Sequence, residues 1–585
     1  MEFSSLKQLD FTPRGAVYPS PTDWREQFIY FLLIDRFNNG SLDTPPYDPA
    51  TATRDRSNDY DFGTRPQGGN LRGITHRLDY IKNLGTTAIW ISPVLKYRAD
   101  NPHDYHGYAP QNFLEIDPHF GTLRDLQELV RQAHARDMVV IVDIVINHTG
   151  DVWQYAGNQG YAFNAGGPWD FGHWNKVSDG EGLGEDDAIW PVEFQNPDWF
   201  KRRGAIDNWY DPYQATNGDF MSLKTLDHGR EDVVSALIDV YKYWMAVADF
   251  DAYRIDAVKH IEDTSVAIFC NAIREYALSI GKENFFIFGE IVGGDDVIDR
   301  YLGRKLVGGP TEGLKSLDAC LDFPQYFILE DVLKGMMHPN ALIERFERLS
   351  TSYHDHGESS YYFVSFVDNH DQMARPFRRF LNNDPYQDQA VLAIGYLLTA
   401  KGIPCIYYGT EQGFDGGGES DCFIRECMFG GQWGAFGTTG CHFFDEQHPI
   451  YRAIKRIADI RAAEPTLKFG RMYFREISGD GENFGRPWGP QTTLAYSRVL
   501  SDDEMIMALN LTIEPREDWV LTDSKFNQSG TVMVDLLNRR ELPVEAWGQG
   551  SKIRVPLGPH QMAIIKCCRT PDETSELPVT PPENP

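Results

Sequence analysis

Residues 231–256 read EDVVSALIDVYKYWMAVADFDAYRID. In the first part of this stretch, Val234, Leu237 and Tyr241 recur at the spacing that predicts an amphipathic helix. The apolar run FDAYRID follows directly and ends at Asp256, which is typical of a short buried strand with a charged group at its end. A helix followed by a buried strand is the repeating unit of a parallel sheet, so this stretch predicts an α/β fold.

The same unit recurs along most of the chain. Seven further runs are strand candidates: FIYFLLIDRF near residues 28–37, TAIWIS near 88, MVVIVDIVIN ending at Asn147, FFIFGE ending at Glu290, SLDACLDF ending near Phe323, YYFVSFVDNHD ending at Asp371, and IPCIYYG ending at Gly409. Eight strands joined by crossover helices predict a closed (β/α)8 barrel of the TIM type. In such barrels the chemistry takes place at the carboxyl ends of the strands.

Two regions depart from this alternation. Residues 149–230 are rich in Gly, Trp, Asn and Asp and predict an irregular subdomain inserted after the third strand. From residue 469, apolar runs follow one another without helices, which predicts a C-terminal antiparallel β-sandwich. We therefore expect a barrel (domain A) over 1–148 and 231–468, domain B over 149–230, domain C over 469–568, and a disordered, acidic and proline-rich tail over 569–585.

The overall charge limits the classes of partner. The chain of 585 residues carries a formal net charge of −30, which repels phosphate and argues against nucleic acid or an anionic membrane surface. No apolar run reaches the roughly eighteen residues of a membrane span, and the N-terminus shows no signal-peptide pattern. We expect a soluble, cytoplasmic protein, and no disulfide even among the neighbouring Cys422, Cys427 and Cys441.

Four predicted strand ends concentrate carboxylates and imidazoles. They are Asp143, Asn147 and His148; Arg254, Asp256, Lys259 and His260; Glu290; and Asp368, Asn369, His370 and Asp371. Retaining cleavage of a glycoside needs two carboxyl groups about 5–5.5 Å apart, one that attacks the anomeric carbon and one that protonates the leaving oxygen. A single acid at a strand end is more often solvated or salt-bridged than catalytic, so only the combination favours catalysis.

Four of these motifs carry a family resemblance. VDIVINH, YRIDAVKH, IFGE and FVDNHD occur in this order and resemble the best-known sequence regions of the α-amylase family, glycoside hydrolase family 13. The resemblance extends over roughly residues 25–465. It implies a glycoside hydrolase that cleaves α-1,4-glucosidic bonds in starch- or glycogen-type glucans or malto-oligosaccharides by double displacement.

The resemblance assigns the three essential carboxylates. Asp256 matches the nucleophile that forms a covalent glucosyl intermediate, Glu290 the general acid/base, and Asp371 the carboxylate that grips sugar hydroxyls. A neighbouring guanidinium lowers the pKa of a carboxyl, so we expect Arg254 to keep Asp256 ionised. Glu290 is expected to be less well paired, with a raised pKa that suits a proton donor.

The resemblance also assigns residues that bind substrate. His148 and His370 match the pair that hydrogen-bonds the sugar in subsite −1, and Tyr108 matches the aromatic platform beneath that sugar. Lys259 and His260 have the form found in α-amylases and cyclodextrin-forming transferases, which points to the +1 and +2 subsites of a long α-1,4-glucan. Asp143 is interpreted as a residue that orients its neighbours.

The metal site of the family is matched only in part. Its calcium is held by the asparagine at Asn147, by an aspartate of the insert and by the main-chain oxygen at His260. The insert motif reads Leu223-Lys224-Thr225-Leu226-Asp227 here, with threonine at the ligating position and a lysine beside it. Hard cations need several anionic oxygens, and a lysine opposes a dication. Asp227, or an acid such as Asp186, could substitute for the missing aspartate, so calcium stays a hypothesis.

Two other functions remain open. A 4-α-glucanotransferase shares the covalent intermediate and differs only in whether water or a sugar hydroxyl accepts the glucosyl group. Hydrolysis is favoured because the chain ends after one β-domain, whereas the transferases are longer. A catalytically inactive binding barrel is the remote alternative, since it would require the loss of a catalytic carboxylate. The preferred chain length, endo or exo action and the oligomeric state are not encoded in these motifs.

Overall fold

Eight short parallel strands form the central sheet of the protein. The computed structural model describes residues 3–41, 44–53, 60–304, 312–351, 359–371 and 377–567, so the predicted tail over 569–585 lies outside the described residues. The strands are β1 (Ile29–Leu32), β2 (Ala88–Ile91), β3 (Val139–Ile144), β4 (Ala252–Ile255), β5 (Phe286–Gly289), β6 (Ala319–Cys320), β7 (Val364–Ser365) and β8 (Ile403–Tyr407). Each coincides with a strand predicted from the sequence.

The sheet closes into a barrel. Its strand order is β6-β5-β4-β3-β2-β1-β8-β7, with parallel pairing between neighbours. A single parallel bridge between Leu321 and Val364 joins the two ends of this series. Every residue of the eight strands is buried, which explains their continuous apolar runs, because helices cover the outside of a parallel barrel and side chains fill its inside. The predicted (β/α)8 fold is confirmed.

The helices follow the strands in the expected alternation. Among the described residues outside 149–230, the helices with six or more residues are Leu71–His76, Leu78–Asn83, Leu123–His134, Glu231–Ala248, Asp263–Ser279, Phe323–Leu333, Asn340–Thr351, Asp388–Thr399 and Pro449–Ala463. The helix Leu123–His134 begins with a capping box in which Thr122 and Asp125 bond each other's backbone N–H groups. The helix Glu231–Ala248 ends at Asp249, whose left-handed backbone (φ 59°) turns the chain into β4.

Residues 149–230 contain only short elements. His148–Thr149 pairs with Lys224–Thr225, Trp153–Tyr155 pairs with Phe171–Trp174, and Pro212–Asn217 forms a short helix. The rest consists of turns and short 3-10 segments. We call residues 149–230 the inserted segment. The first of these pairings fixes the segment to the chain directly after β3, next to His148.

The protein divides into two compact units. The first comprises 1–326, 351–384 and 402–451, which includes all eight barrel strands; the second comprises 327–350, 385–401 and 452–585. The second unit therefore contains residues that the sequence placed in the barrel domain, and the exact domain boundaries stay a prediction. Two antiparallel sheets form the C-terminal part of this unit. They consist of Arg471–Phe474, Thr493–Leu500, Asp503–Asn510, Met562–Cys567, Val532–Asp535 and Arg540–Pro543, and of Ile477–Ser478, Arg516–Thr522, Gly550–Leu557 and Glu545–Trp547.

The C-terminal sheets enclose an apolar core of their own. Ile506, Val520, Ile553 and Ile565 are fully buried in it. This arrangement confirms the predicted antiparallel β-domain. Among the residues that the structure describes, no helix has the length and apolar character needed to cross a bilayer. The seven cysteines within the described ranges have free thiols.

Candidate active site

The carboxyl ends of β3, β4 and β5 bring three carboxyl groups together. These strands are neighbours, with Arg254 in register with Asp143 on one side and with Phe288 on the other. Asp256 follows β4 directly and Glu290 follows β5 directly. Because parallel strands end at the same edge, the side chains of Asp143, Arg254, Asp256 and Glu290 meet at the barrel mouth.

One guanidinium group connects the three carboxyl groups. Arg254 Nη1 donates to Asp143 Oδ1 at 2.8 Å and to Asp256 Oδ1 at 2.9 Å. Arg254 Nη2 forms an ion pair of 3.0 Å with Glu290 Oε2. The side chain of Arg254 is fully buried, so a single positive charge faces three acidic groups in a largely buried site.

Burial dominates the protonation of these acids. It raises the pKa of Asp256 to about 7 and that of Glu290 to about 7, although the Arg254 charge opposes both shifts. The same balance raises the pKa of Asp143 to about 6. Arg254 acts to lower the pKa of Asp256, as expected, but one guanidinium divided among three carboxyl groups does not offset their desolvation.

Hydrogen-bond geometry still distinguishes the carboxyl group of Asp256 from that of Glu290. Asp256 accepts an aligned bond from Arg254 Nη1, whereas Arg254 Nη2 has no aligned hydrogen bond to Glu290 or to any other described residue. Glu290 Oε2 instead accepts the backbone N–H of Ala257 at 3.2 Å. A charge-assisted hydrogen bond favours the ionised form more than a neutral one does. Asp256 therefore ionises first, and Glu290 retains the proton.

The backbone after Asp256 is held in an uncommon conformation. Ala257 has a φ of 50°, in the left-handed region that non-glycine residues rarely adopt. This turn directs the N–H of Ala257 to Glu290 Oε2, and the N–H of Val258 bonds the Glu290 carbonyl at 3.0 Å. The two loops that carry Asp256 and Glu290 are thus tied to each other by backbone bonds.

Asp371 lies on the loop after β7. Its Oδ2 is 3.3 Å from His370 Nε2, and its Oδ1 accepts a bond of 2.8 Å from Arg425 Nη2. Arg425 also donates through Nε to the carbonyl of His370 at 2.9 Å. A second buried guanidinium therefore positions both the third carboxylate and its neighbouring histidine.

Sequence reasoning did not identify Arg425. It belongs to the segment IREC after β8, where no spacing or neighbouring motif signals a functional role. Its second carboxylate partner is Asp421, at 2.9 Å. The sequence assigned no role to His106 either; burial, together with the nearby Arg425 charge, lowers its pKa to about 3, so its ring is neutral at the barrel mouth.

Tyr108 contacts both clusters of the site, the three acids around Arg254 and the pair formed by His370 and Asp371. Its ring stacks on His370 with centroids 5.0 Å apart, and its hydroxyl donates to Asp143 Oδ2 at 2.8 Å. His148 Nε2 donates to the Tyr108 carbonyl at 2.9 Å. Burial lowers the pKa of His148 to about 4 and that of His370 well below its usual value, so both imidazoles are neutral hydrogen-bonding groups.

The remaining predicted residues lie on the loop after β4 and at the start of the inserted segment. Lys259 Nζ donates to the Val292 carbonyl at 3.2 Å, and burial lowers its pKa. His260 Nδ1 donates to the Ala215 carbonyl of the inserted segment at 2.6 Å. The ring of Phe220 lies 5.2 Å from His260 and 6.1 Å from His148, so an aromatic side chain of the inserted segment lies between the two histidines.

Comparison with known sequences gives a consistent picture. The family described as alpha amylase, catalytic domain, matches residues 31–428. A beta/alpha-amylase of Paenibacillus polymyxa is 31% identical over 502 residues, covering 84% of this chain and 34% of that protein. An α-amylase of Streptomyces lividans is 33% identical over 456 residues, covering 69% of this chain and 47% of that protein. A cyclomaltodextrin glucanotransferase of Klebsiella oxytoca is 30% identical, covering 85% of this chain and 72% of that protein. The chain thus spans less than half the length of the first two relatives.

Solved structures are similar over nearly the whole chain. An α-amylase from Geobacillus thermoleovorans, complexed with acarbose, has a TM-score of 0.67 and 26% identity and covers 94% of this chain and 100% of its own. A cyclomaltodextrin glucanotransferase with a three-domain ABC distribution has a TM-score of 0.66 and 25% identity and covers 93% of this chain and 99% of its own. The match covers only 72% of the Klebsiella oxytoca transferase, as expected of a longer protein, but nearly all of this three-domain transferase, so chain length does not separate hydrolysis from transfer.

Proposed function

Since the chain belongs to the α-amylase family, we propose that it hydrolyses α-1,4-glucosidic bonds in starch- or glycogen-type glucans and malto-oligosaccharides with retention of configuration. The contact of one buried guanidinium, that of Arg254, with both Asp256 and Glu290 carries this proposal. The two side chains follow neighbouring strands and share this partner, which supports the pairing of an attacking carboxylate with a proton donor that retaining cleavage uses.

In the first half of the reaction, the Asp256 carboxylate attacks the anomeric carbon while Glu290 gives its proton to the glycosidic oxygen. The bond from the anomeric carbon to that oxygen breaks, and the shortened glucan leaves with a new hydroxyl group. The hydrogen bond from Arg254 favours the charged form of Asp256 before the attack, and the raised pKa of Glu290 supplies the proton.

In the second half, the Glu290 carboxylate takes a proton from water, and the resulting hydroxide oxygen bonds to the anomeric carbon. The ester bond to Asp256 breaks, and the carboxylate leaves with the electron pair. Asp371 and His370, both bonded by Arg425, are positioned to hold sugar hydroxyls throughout. Tyr108 presents its ring beside them as an apolar face for the sugar.

Glucanosyl transfer is the second candidate. It is favoured by the similarity to cyclomaltodextrin glucanotransferases, in sequence over 85% of this chain and in structure over 93%. Only the acceptor differs, because a sugar hydroxyl replaces water in the second half of the reaction. The carboxyl groups of the site act identically in both reactions.

The test is incubation with soluble starch and, separately, with maltoheptaose, followed by separation of the products by size. Products that are all shorter than the donor support hydrolysis, whereas longer or cyclic products support transfer. Detection of the α-anomer as the first product, by proton NMR, tests retention. The Glu290→Gln variant serves as a control for contaminating activity. A wild-type protein without products on either substrate would contradict both enzymatic proposals and favour a binding barrel.

A further inference from the structure

The calcium site implied by the family resemblance does not fit the residues of this chain. Thr225, at the ligating aspartate position, donates its hydroxyl to the Gly218 carbonyl at 2.8 Å. Asn147 Oδ1 and Glu262 Oε2 are buried and have no hydrogen-bond partner in the described part of the chain, but the Glu262 carboxylate is paired with Lys201. Within the described ranges, no group of three or more His, Cys, Asp or Glu side chains is arranged to hold a metal ion. One neutral amide oxygen and one carboxylate already paired with a lysine are too few for a hard dication.

A lysine ammonium lies at this junction instead. The backbone N–H of Lys201 bonds the Thr225 carbonyl at 3.1 Å, which continues the antiparallel bridge between Phe200 and Leu226. Residues opposite each other in such a pair have side chains on the same face, so Lys201 and Thr225 share a face. The side chain of Lys201 is only 4% exposed. Its charge is therefore buried on the face where the family places a ligating aspartate.

The partners of Lys201 come from both sides of the junction. Its Nζ donates to the Thr216 carbonyl at 2.8 Å, within the inserted segment. The same Nζ donates to Glu262, which lies two residues after His260 on the loop that follows β4. One ammonium group thus connects the inserted segment to the loop that carries Asp256, which is the connection that a bridging metal would make.

A second buried lysine, Lys224, directly precedes Thr225 in the short strand Lys224–Thr225, so its side chain lies on the opposite face from that of Thr225. The side chain of Lys224 is 7% exposed, and its Nζ forms an ion pair of 3.0 Å with Asp151 Oδ1. The rings of Trp153 and Tyr155 lie 5.2 and 5.5 Å from this nitrogen, a cation–π arrangement. Glu262 and Asp151 are therefore already paired with ammonium groups, and a dication would meet like charge there.

We propose that the ammonium group of Lys201, with Lys224 on the opposite face, replaces the calcium ion of the family and holds the inserted segment on the barrel without a metal. An ammonium supplies one charge and three donors, which suits one carboxylate and one or two carbonyl oxygens better than it suits an oxygen cage. The inference does not depend on which acceptor the enzyme uses, and its test measures stability alone.

The first experiment is thermal unfolding of the full chain after dialysis against EDTA and after addition of millimolar calcium chloride. We expect midpoints that agree within about 1 °C, because an ion with no affinity for the native state does not stabilise it. A midpoint that falls with EDTA and returns with calcium would overturn the proposal. This measurement requires no variant and is unaffected by folding defects.

The second experiment compares lysine variants. Lys201→Met should lower the midpoint by about 5 °C, because it leaves Glu262 without its buried partner. Lys201→Arg should recover part of this loss, since it keeps the charge. Lys176 lies exposed in the same inserted segment, so Lys176→Met is the matched control and should change the midpoint by about 1 °C at most. Equal effects of Lys201→Met and Lys176→Met would contradict the role of Lys201.

The third experiment reverses the replacement. The double variant Lys201→Met and Thr225→Asp removes the ammonium and restores a carboxylate at the position where the family has one. We expect calcium to raise its unfolding midpoint by several degrees, while magnesium at the same concentration has a smaller effect because it loses its water reluctantly. If Lys201→Met alone fails to fold, this variant in calcium still reports on the site. A midpoint independent of calcium in the folded double variant would count against the site.

Discussion

Strand β4 has a buried aspartate at each end, and the two differ in how they are paired. Asp251, just before the strand, accepts bonds from Lys282 Nζ at 2.9 Å, His134 Nε2 at 2.8 Å and the N–H of Val140 at 2.8 Å. Burial acts to raise its pKa, but the Lys282 charge and these bonds outweigh burial and leave the pKa below the ordinary value. Asp256, just after the strand, has a pKa raised to about 7.

The number of positive groups around each carboxyl group explains why the pKa values of Asp251 and Asp256 differ. Asp251 has a lysine and a histidine as close partners, whereas Asp256 shares one guanidinium with Asp143 and Glu290. Similar burial therefore leaves Asp251 ionised at one end of the strand and raises the pKa of the three acids that share Arg254 at the other. The start of β4, where Asp251 is paired with a lysine and a histidine, contributes to stability. The end of β4, where three acids share one guanidinium, provides a proton for chemistry.

The largest expected effect is on turnover at the carboxyl end of β4. Asp256→Asn should lower kcat on maltoheptaose by at least about 10⁴-fold, because an amide cannot attack the anomeric carbon. The unfolding midpoint should stay the same or rise, since the variant removes one of three acids that compete for Arg254. Activity within about tenfold of the wild type would contradict the assignment of Asp256 as nucleophile.

The matched substitution at the other end of β4 should act on stability. Asp251→Asn leaves the fully buried Lys282 with Asp249 as its remaining carboxylate partner, and such losses cost about 3–5 kcal/mol. Guanidinium chloride unfolding measures this change. At a temperature where the variant is folded, we expect kcat close to the wild-type value, and a variant with full stability but little activity would break the comparison.

The two ends of the strand should also differ in their response to pH. The pKa values of Asp256 and Glu290 are raised, so the native state binds more protons than the unfolded chain between about pH 4 and 7. The contribution of these two groups to the free energy of unfolding should therefore fall as pH rises through this window, by up to about 1.4 kcal/mol per pH unit for each group, and then level off. Asp251, with its lowered pKa, contributes stability that is present above about pH 4 and is lost at lower pH.

Unfolding measured across about pH 4 to 8 separates these contributions. The double variant Asp256→Asn and Glu290→Gln removes both groups but keeps Asp143 and the neutral histidines, so the wild type should lose stability relative to the double variant between about pH 4 and 7. The single variant Asp251→Asn should retain this contribution. Parallel pH profiles of the wild type and the double variant would show that Asp256 and Glu290 do not make it.

The smallest expected effect concerns the third carboxylate. Arg425→Lys keeps a positive charge but loses the planar group that bonds both Asp371 and the His370 carbonyl. We expect kcat to fall about tenfold with a minor change in KM, because misplacement of a positioning group raises the barrier of the chemical step. An increase in KM alone would indicate that Arg425 contributes only to binding.

Most of the barrel and the first two carboxylates were predictable because both are local in sequence. Each strand is a continuous apolar run, and Asp256 and Glu290 directly follow such runs, so their position depends only on strand register. Arg425 was not predictable in this way, since it reaches Asp371 from a loop far along the chain. The raised pKa of Asp256 depends on how many acids share Arg254, which only the three-dimensional arrangement reveals.

For the calcium site, the sequence could predict only that the motif in the inserted segment departs from that of the family. The threonine at position 225 and the lysine beside it were visible in the sequence. Lys201 lies outside that motif and comes opposite Thr225 through an irregular pairing without periodicity. In an irregular segment the sequence can therefore show that a ligand residue is missing, but it does not show which residue takes its place in the structure.

The short pairing between β6 and β7, which closes the barrel, affects how the barrel can move. Strands β6 and β7 have two residues each and are joined by the single bridge between Leu321 and Val364, whereas β3, β4 and β5 share longer ladders. Amide protons along this seam are expected to exchange with solvent before those of β3 and β4. Local opening of the seam would displace the loop that bears Asp371 and leave Arg254 with its carboxylates in place. Under the proposed function, such opening would loosen the contact of Asp371 with the sugar while Asp256 and Glu290 stay assembled.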